Sequence, residues 1–471
     1  MSVIPAPATR SWWLEDALAR EGGAAVAAPP LDGTATVDVA IVGGGFTGLW
    51  TALILKERQP NLTVAVIERD ICGAGASGKN GGNVGGYWRA LTRVSAALGD
   101  EAALALARLG TRAQDRLRTF AAAREALWWR EGGALVVATT ARQEASLATA
   151  LDTMKRLGVP EAGRSMTRDG ALALCRIPNA RAGIHYSEGA TVNPARLARA
   201  LRRAALDAGV RLFEGTPMTG LSAGAPNTVA TPTGTLKAGH VILATNTELA
   251  RHPLAAAHLS VFSSYAVMTA PAPDTLARIW PSEASAGDAA MFLHYFRKTP
   301  DGRVLMGSGS GPVAAGANPA ASSNTSDRAS AERAAAGLAS LLPDFAVPIV
   351  ASWGGGIDVA SDQLPFVRTV PGQQIHIAAG FSGHGVNPTA MAGETLASTI
   401  LGANDEWTRS PFVTRRLPTL PPEPFRTVGG RAVRWGIMTC EAAERANRTP
   451  PAAARVLAAL PRQLGMRVGV R

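Results

Sequence analysis

The chain predicts an α/β fold in two parts. One is a nucleotide-binding domain assembled from discontinuous segments; the other is an inserted domain built on an antiparallel sheet. Three observations predict this. An apolar run, Val37-Asp38-Val39-Ala40-Ile41-Val42, ends in the glycine turn Gly43-Gly44-Gly45-Phe46-Thr47-Gly48. A second apolar run, Val64-Ala65-Val66-Ile67, is closed by Glu68 and Arg69. Between Leu259 and Gly307 the pattern turns to β, after which strand and helix alternate again.

The opening unit reads as strand, glycine turn, helix and second strand ending in an acid, the Rossmann-like arrangement that a dinucleotide requires. Gly43 permits the tight turn, Gly45 lets the backbone approach a pyrophosphate, and Gly48 lets the helix pack closely on the strand. The helix N-terminus faces the phosphate charge. Glu68 lies about 20 residues past the turn, placed to accept hydrogen bonds from an adenosine ribose.

The elements follow in order. Residues 1–34 form an N-terminal arm in which Ser11 caps a short amphipathic helix whose tryptophans dock on the body. After the βαβ unit comes the loop Gly73–Asn83. Ala96 to Arg124 has the period of one long helix, Gly132–Ala138 reads as a strand, and Arg142–Leu157 as a helix. Asn193 caps a helix that starts at Pro194 and ends near Ala208. Gly209–Glu214 and His240–Asn246 are strands. The β region holds Ser260–Phe262, Tyr265–Thr269, Met291–Arg297 and Arg303–Gly307, with Thr299-Pro300-Asp301-Gly302 as a hairpin turn. Gly311 to Asp327 is small and polar and reads as a mobile surface loop. Arg328–Leu342 is helical and Ile349–Trp353 a strand. Ile375-His376-Ile377-Ala378-Ala379 then runs into a second glycine turn, Gly380-Phe381-Ser382-Gly383-His384-Gly385-Val386, before a helix to about Leu401. No internal repeat is present. The resulting division assigns 35–95, 186–255 and 350–405 to the nucleotide domain and 96–185 and 256–349 to the substrate domain. Residues 406–471 are a basic tail packing on the body.

Composition narrows the function. The 471 residues suffice for two lobes. The net charge of +11 comes from scattered arginines, with only five lysines, and so favours a field that attracts anions over nucleic-acid binding. Cys72, Cys175 and Cys440 are far apart and odd in number, so they imply neither a disulfide framework nor a metal site. A cytoplasmic location fits, and Met1–Arg10 lacks the build of a signal peptide. Val39–Leu55 is uncharged but short and glycine-rich, which fits a strand turning into a buried helix better than a membrane span.

Four ordered motifs resemble the FAD-dependent amine and amino-acid oxidoreductases of the D-amino-acid-oxidase superfamily. They are Gly43–Gly48 with Glu68, Gly75-Ala76-Ser77-Gly78-Lys79-Asn80-Gly81-Gly82, Val192-Asn193-Pro194, and Gly380–Val386. The resemblance is strongest to the γ-glutamylputrescine-oxidase-like branch and runs from about residue 37 to 405. It implies hydride transfer from the carbon beside a substrate amine to flavin N5. The imine is then hydrolysed to an aldehyde or oxo acid. Oxygen or another electron acceptor reoxidises the flavin.

The resemblance also implies roles for residues. Ser77, Asn80, Gly81 and Gly82 would wrap the pyrophosphate, ribityl chain and flavin edge. Lys79 is either a phosphate counter-charge or a solvated side chain. Gly383, His384, Gly385 and Val386 would run under the flavin ring, where N–H groups at the next helix start stabilise negative charge and His384 adds positive charge. Met218 would contact adenine through its backbone. Thr245-Asn246 stands where relatives carry Thr-Gly, a departure that bears on the pyrophosphate approach. Tyr265, Tyr295 and Arg297 are the substrate candidates: tyrosines wall an amine pocket and an arginine pairs with a carboxylate, with Trp353 as a further wall. Absence of histidine before His185 and of cysteine in Asp358–Arg368 points to noncovalent FAD. The strand Arg303–Gly307 lacks the oxygen-activating lysine of some relatives. Two other readings remain: an NAD-linked dehydrogenase, and a flavin-holding subunit without activity of its own.

Overall fold

The computed structural model describes residues 4–22, 27–463 and 466. Met1–Val3, residues 23–26 of the arm and the end of the basic tail lie outside the described residues.

Two eight-stranded sheets organise the chain. In the first, Gly33–Val42 pairs in parallel with Val64–Ile67 on one side and Gly234–Leu243 on the other, with Val39 opposite Val64 and His240. Arg211–Phe213 extends the parallel run beyond Val64–Ile67, and Ile375–Ala379 extends it beyond Gly234–Leu243. Strands buried on both faces need continuous apolar sequence, which Ala40-Ile41-Val42 and Val64–Ile67 supply. Helix Phe46–Arg58 covers one face with helix Pro388–Ile400. They cross closely because Gly393 has no side chain: a Cβ there would lie 3.0 Å from Trp50 Cβ.

The second sheet is mostly antiparallel. Its longest pairing joins Leu259–Thr269 to Ile349–Ala360. The sequence ended this last strand at Trp353 and grouped it with the nucleotide segments; it runs to Ala360 and pairs in the second sheet. Three strands of this sheet escaped the sequence reading: Arg164–Thr167, Ala182–Tyr186 and Ser285–Asp288. The strand expected from Met291 starts at His294, because Asp288 Oδ1 accepts the His294 N–H and folds the chain back.

The helix expected over Ala96–Arg124 is two helices, Leu91–Leu98 and Asp100–Ala122. Gly99 breaks them at φ +88°. Residues 311–327 are not a free loop: Asn324 is buried and ties back to the Asn318 and Pro319 carbonyls. Ser11 does cap Trp12–Arg20, and Asn193 caps Pro194–Asp207. The described part of the basic tail carries the short helix Pro411–Thr414 and two longer ones, Phe425–Arg445 and Ala452–Gln463. Among the described residues no helix is long and apolar enough to cross a membrane.

Candidate functional site

The C-terminal ends of the parallel strands and the facing side of the second sheet enclose a cleft of about 1650 Å³. Ligands in open α/β folds bind at such strand ends. The volume exceeds the roughly 300–1,000 Å³ of ordinary small-molecule pockets and leaves room for a dinucleotide beside a substrate.

The glycine turn is shaped by close approach. Gly43 has φ +115°, and a Cβ on it would stand 2.5 Å from the Ala244 carbonyl oxygen. A Cβ on Gly48 would stand 2.1 Å from Gly43 O, so Gly48 lies behind the wall and sets the helix against the turn. Gly45, Phe46 and Thr47 line the cleft. Gly45 begins the helix and has no side chain to cap it; the Phe46 N–H instead donates to Ser77 Oγ at 2.8 Å. Glu68 lines the cleft half-buried, one carboxylate oxygen accepting the Gly44 N–H at 2.8 Å and the other the Asp70 N–H at 3.0 Å. Burial pushes its carboxyl pKa up. Arg69, Met218 and Thr245 line the same end, where Arg69 pairs with Glu248 at 2.8 Å. Asn246 has φ +52°: asparagine takes the left-handed conformation for which glycine is usual, so the departure from Thr-Gly keeps the backbone path.

The loop from Ala76 to Gly82 is held from outside. Ser11 donates to Gly78 O at 2.5 Å, Trp353 Nε1 to Lys79 O at 2.7 Å and Trp13 Nε1 to Asn80 O at 3.1 Å. Three consecutive carbonyls are thereby fixed on the side away from the cleft, while Ser77, Lys79, Asn80 and Gly81 line it. Asn80 Oδ1 accepts the Gly82 N–H at 2.7 Å and holds the bend. Burial lowers the Lys79 pKa.

Arg297 completes this clamp and is not in the cleft. It is 1 % exposed, donates to Val192 O at 2.6 Å and Gly82 O at 3.2 Å, and lies over the Trp13 ring at 5.2 Å. Burial lowers its pKa to about 9. Tyr265 is also outside the cleft. Side chains alternate along a strand: Ser264 lines the cleft, so Tyr265 points to the opposite face, where its hydroxyl donates to Ser323 O at 2.8 Å and accepts the Asp327 N–H at 2.7 Å. Trp353 is buried beneath the loop, edge-on to Trp13. Of the substrate candidates, Tyr295 alone reaches the cleft. Its hydroxyl shares a 2.9 Å hydrogen bond with Ser264 Oγ, and burial raises its pKa, so it stays a phenol. Leu305 is the side chain that its strand sets beside Gly81.

The second glycine turn crosses the cleft floor with Gly383, His384, Gly385 and Val386 in the lining. Gly380, Ser382 and Gly383 all have left-handed φ, of +83°, +53° and +81°. The buried Asp358 holds the turn: its Oδ2 accepts the Gly380 N–H at 2.5 Å, and its main-chain oxygen accepts the Ser382 N–H at 3.0 Å. Burial raises the Asp358 pKa to about 7. His384 is exposed and lines the cleft. The surrounding protein, with Arg93 and Arg89 nearby, lowers its pKa to about 4. The imidazole is therefore neutral near pH 7, and the positive charge expected from it is absent; the nearby charge belongs to Arg89 and Arg93.

Arg89, Arg93, Asn83, Tyr87 and Tyr186 also line the cleft and were not singled out from sequence. For Asn83, Tyr87, Arg89 and Arg93 the signal available was their place just after the Gly81-Gly82 loop; Tyr186, on the strand Ala182–Tyr186, carried none. Asn83 Oδ1 and the Tyr87 hydroxyl are buried without a protein partner. Unsatisfied polar atoms on residues that line a glycine-walled cleft suit a polar ligand.

A glycine turn at a helix start, an acid at the next strand end and a second glycine turn beneath a tyrosine-bearing sheet define a dinucleotide-dependent oxidoreductase. Residues 38–399 match the family model described as FAD dependent oxidoreductase, and the chain belongs to this DAO family. Its cofactor is FAD. The chain is 29% identical over 389 residues to the probable oxidoreductase OrdL of Rhizobium meliloti, covering 80% of this chain and 86% of that one. It is 28% identical over 419 residues to γ-glutamylputrescine oxidoreductase of Escherichia coli, covering 86% and 91%. Glycine oxidase from Geobacillus kaustophilus superposes with a TM-score of 0.68 at 23% identity, over 81% of this chain and 99% of its own.

Proposed function

We propose that the protein oxidises the C–N bond of a primary or secondary amine or amino acid, with FAD in the cleft. The observation that carries this reading is the meeting of two glycine turns, at Gly45 and Gly383, in one cleft walled by Tyr295 of the second sheet. The names of relatives support it: one is a γ-glutamylputrescine oxidoreductase and one similar structure is an iminodiacetate oxidase.

FAD, when bound, supplies the hydride acceptor. The chain's residues bind and orient. Gly43, Gly45 and the Phe46 end of the helix receive the pyrophosphate; Glu68 receives ribose hydroxyls; Met218 and Thr245 flank the adenine end. Ser77, Asn80 and Gly81 hold the ribityl chain and one ring edge, while Gly82, expected to share that role, lies behind the lining, held by Asn80 and Arg297. Gly383–Val386 and the start of helix Pro388–Ile400 present N–H groups to negative charge on the ring. Tyr295 and Ser264 offer a neutral hydroxyl pair to the substrate. Neutral His384 contributes shape and a hydrogen bond, not charge.

Anaerobic addition of a panel of amines and amino acids to the FAD-loaded protein tests this. At least one should bleach the visible flavin absorbance. If dithionite bleaches the protein and every amine and amino acid leaves it unchanged, the proposal is wrong.

A further inference from the structure

The last two helices, Phe425–Arg445 and Ala452–Gln463, lie outside the residues that match the family model. They form a hairpin that is firmly seated on one side. Val433 and Ile437 pack against Phe292, and Cys440, Glu441 and Glu444 line the cleft. Arg426 donates to Ala256 O at 2.7 Å and Arg434 to Ser310 O at 2.6 Å, which fastens the first helix to the body. Gly436 lets the two helices touch: a Cβ there would lie 2.9 Å from Ala454 O.

The other side is bare. Among the described residues five large apolar side chains are exposed, and four of them are here: Phe425, Val428, Trp435 and Val456, each more than half exposed. Phe425, Val428, Ala432 and Trp435 follow at i, i+3, i+7 and i+10, one stripe along the helix. An apolar stripe left in water marks an interaction surface.

The charges around the stripe distinguish its partner. Residues 425–463 hold seven arginines and two glutamates. Both glutamates, Glu441 and Glu444, line the cleft, as do Arg455 and Arg462. Arg431, Arg445 and Arg448 are exposed outside that lining, and Glu423, just before the helix, is the one exposed acid from 420 to 463. A second copy docking by the same face would meet an arginine rim like its own. A bilayer with anionic headgroups complements both features. Its interface takes up the apolar side chains and its phosphates pair with guanidiniums, while the arginine stems lie along the apolar surface.

We propose that the outer face of this hairpin docks the protein on a bilayer that carries anionic phospholipid. Phe425, Val428, Trp435 and Val456 enter the headgroup region, and Arg431, Arg445 and Arg448 pair with headgroup phosphates. The contact is peripheral, since among the described residues no helix is long and apolar enough to cross. It stands whether or not the substrate is an amine.

The test is co-sedimentation of the full FAD-loaded chain with vesicles of pure phosphatidylcholine, or of phosphatidylcholine mixed with phosphatidylglycerol. The chain should pellet with the mixed vesicles, less so as salt rises, and not with the pure ones. Phe425→Ala/Trp435→Ala and Arg431→Glu/Arg448→Glu should each weaken binding by about tenfold or more. All four residues are exposed, and circular dichroism checks that the variants stay folded. Arg203→Glu/Arg211→Glu removes as much charge at the edge of the first sheet and on the helix that leads into it. It should leave binding within about twofold of the parent. No pelleting with either vesicle, equal pelleting with both, or hairpin variants that bind like the parent overturns the inference. So does a parent dimer that Phe425→Ala/Trp435→Ala converts to monomer, because the stripe then belongs to a second copy.

Discussion

Tyr295 lies across Gly307 on the neighbouring strand so closely that a Cβ on Gly307 would stand 2.0 Å from its ring. Gly81 closes on the same ring from the cofactor loop, with 2.8 Å left for a Cβ. The tyrosine that walls the substrate end is thus positioned by two absent side chains. Gly307→Ala should force the ring out of place. Overpacking of this kind costs about 1–3 kcal/mol, and a raised KM should accompany it. Thermal unfolding and steady-state kinetics check both; an unchanged KM would remove Tyr295 from the substrate wall.

The glycines of the first turn separate by role. Gly48→Ala sets a Cβ against the Gly43 carbonyl oxygen and should lower stability as well as FAD content. Gly45→Val meets only the movable Ser77 hydroxyl, at 2.9 Å from its Cβ, so it should fold but fail to retain FAD because its side chain enters the phosphate position. Circular dichroism and flavin content of the purified variants distinguish the two. A Gly45→Val protein with stoichiometric FAD would displace the pyrophosphate from this turn.

Trp13 fastens the cofactor loop through Asn80 O and covers the Arg297 guanidinium. Trp13→Phe keeps an aromatic body and removes the donor. Leaving a buried acceptor unpaired costs about 1–3 kcal/mol, and the loosened loop should release FAD faster. The rate of flavin fluorescence recovery on dilution reports this.

Two groups, the buried Asp358 and the cleft-lining His384, tilt stability with pH in opposite directions. His384 has its pKa lowered from 6.5 to about 4, so the unfolded chain binds this proton first. Its contribution to stability falls as pH drops from about 6.5 towards 4. Asp358 is raised from 3.8 to about 7, so its contribution is present below 3.8 and is lost as pH rises through about 7. Relative to the parent, His384→Asn should therefore gain stability as pH falls, and Asp358→Asn as pH rises. Urea midpoints between pH 4 and 7 measure both slopes; parallel profiles would refute the assignment.

The cofactor end was legible because its determinants are local. Gly43, Gly45, Gly48 and Glu68 act through a turn and one following strand, and their spacing shows in the chain. The substrate end was not, because its determinants are registers between distant strands. Tyr265 and Tyr295 look alike in sequence; each faces a glycine across a strand pair, Gly354 and Gly307. Only the sheet's alternation shows that one faces the cleft and the other Ser323. Arg297 shares the inward face but is sealed by Gly82, Val192 and Trp13, residues brought together from three segments. The tail's place at the cleft was hidden for the same reason: it was read as packing on the body, and nothing local reveals that its last two helices line the cleft.

The most direct measurement of the central claim is FAD uptake by the folded full-length chain, followed by visible absorbance and equilibrium dialysis. One FAD per chain, lost in Gly45→Val and kept in Arg448→Glu, is the predicted result. Folded protein that stays colourless when FAD is supplied would contradict it.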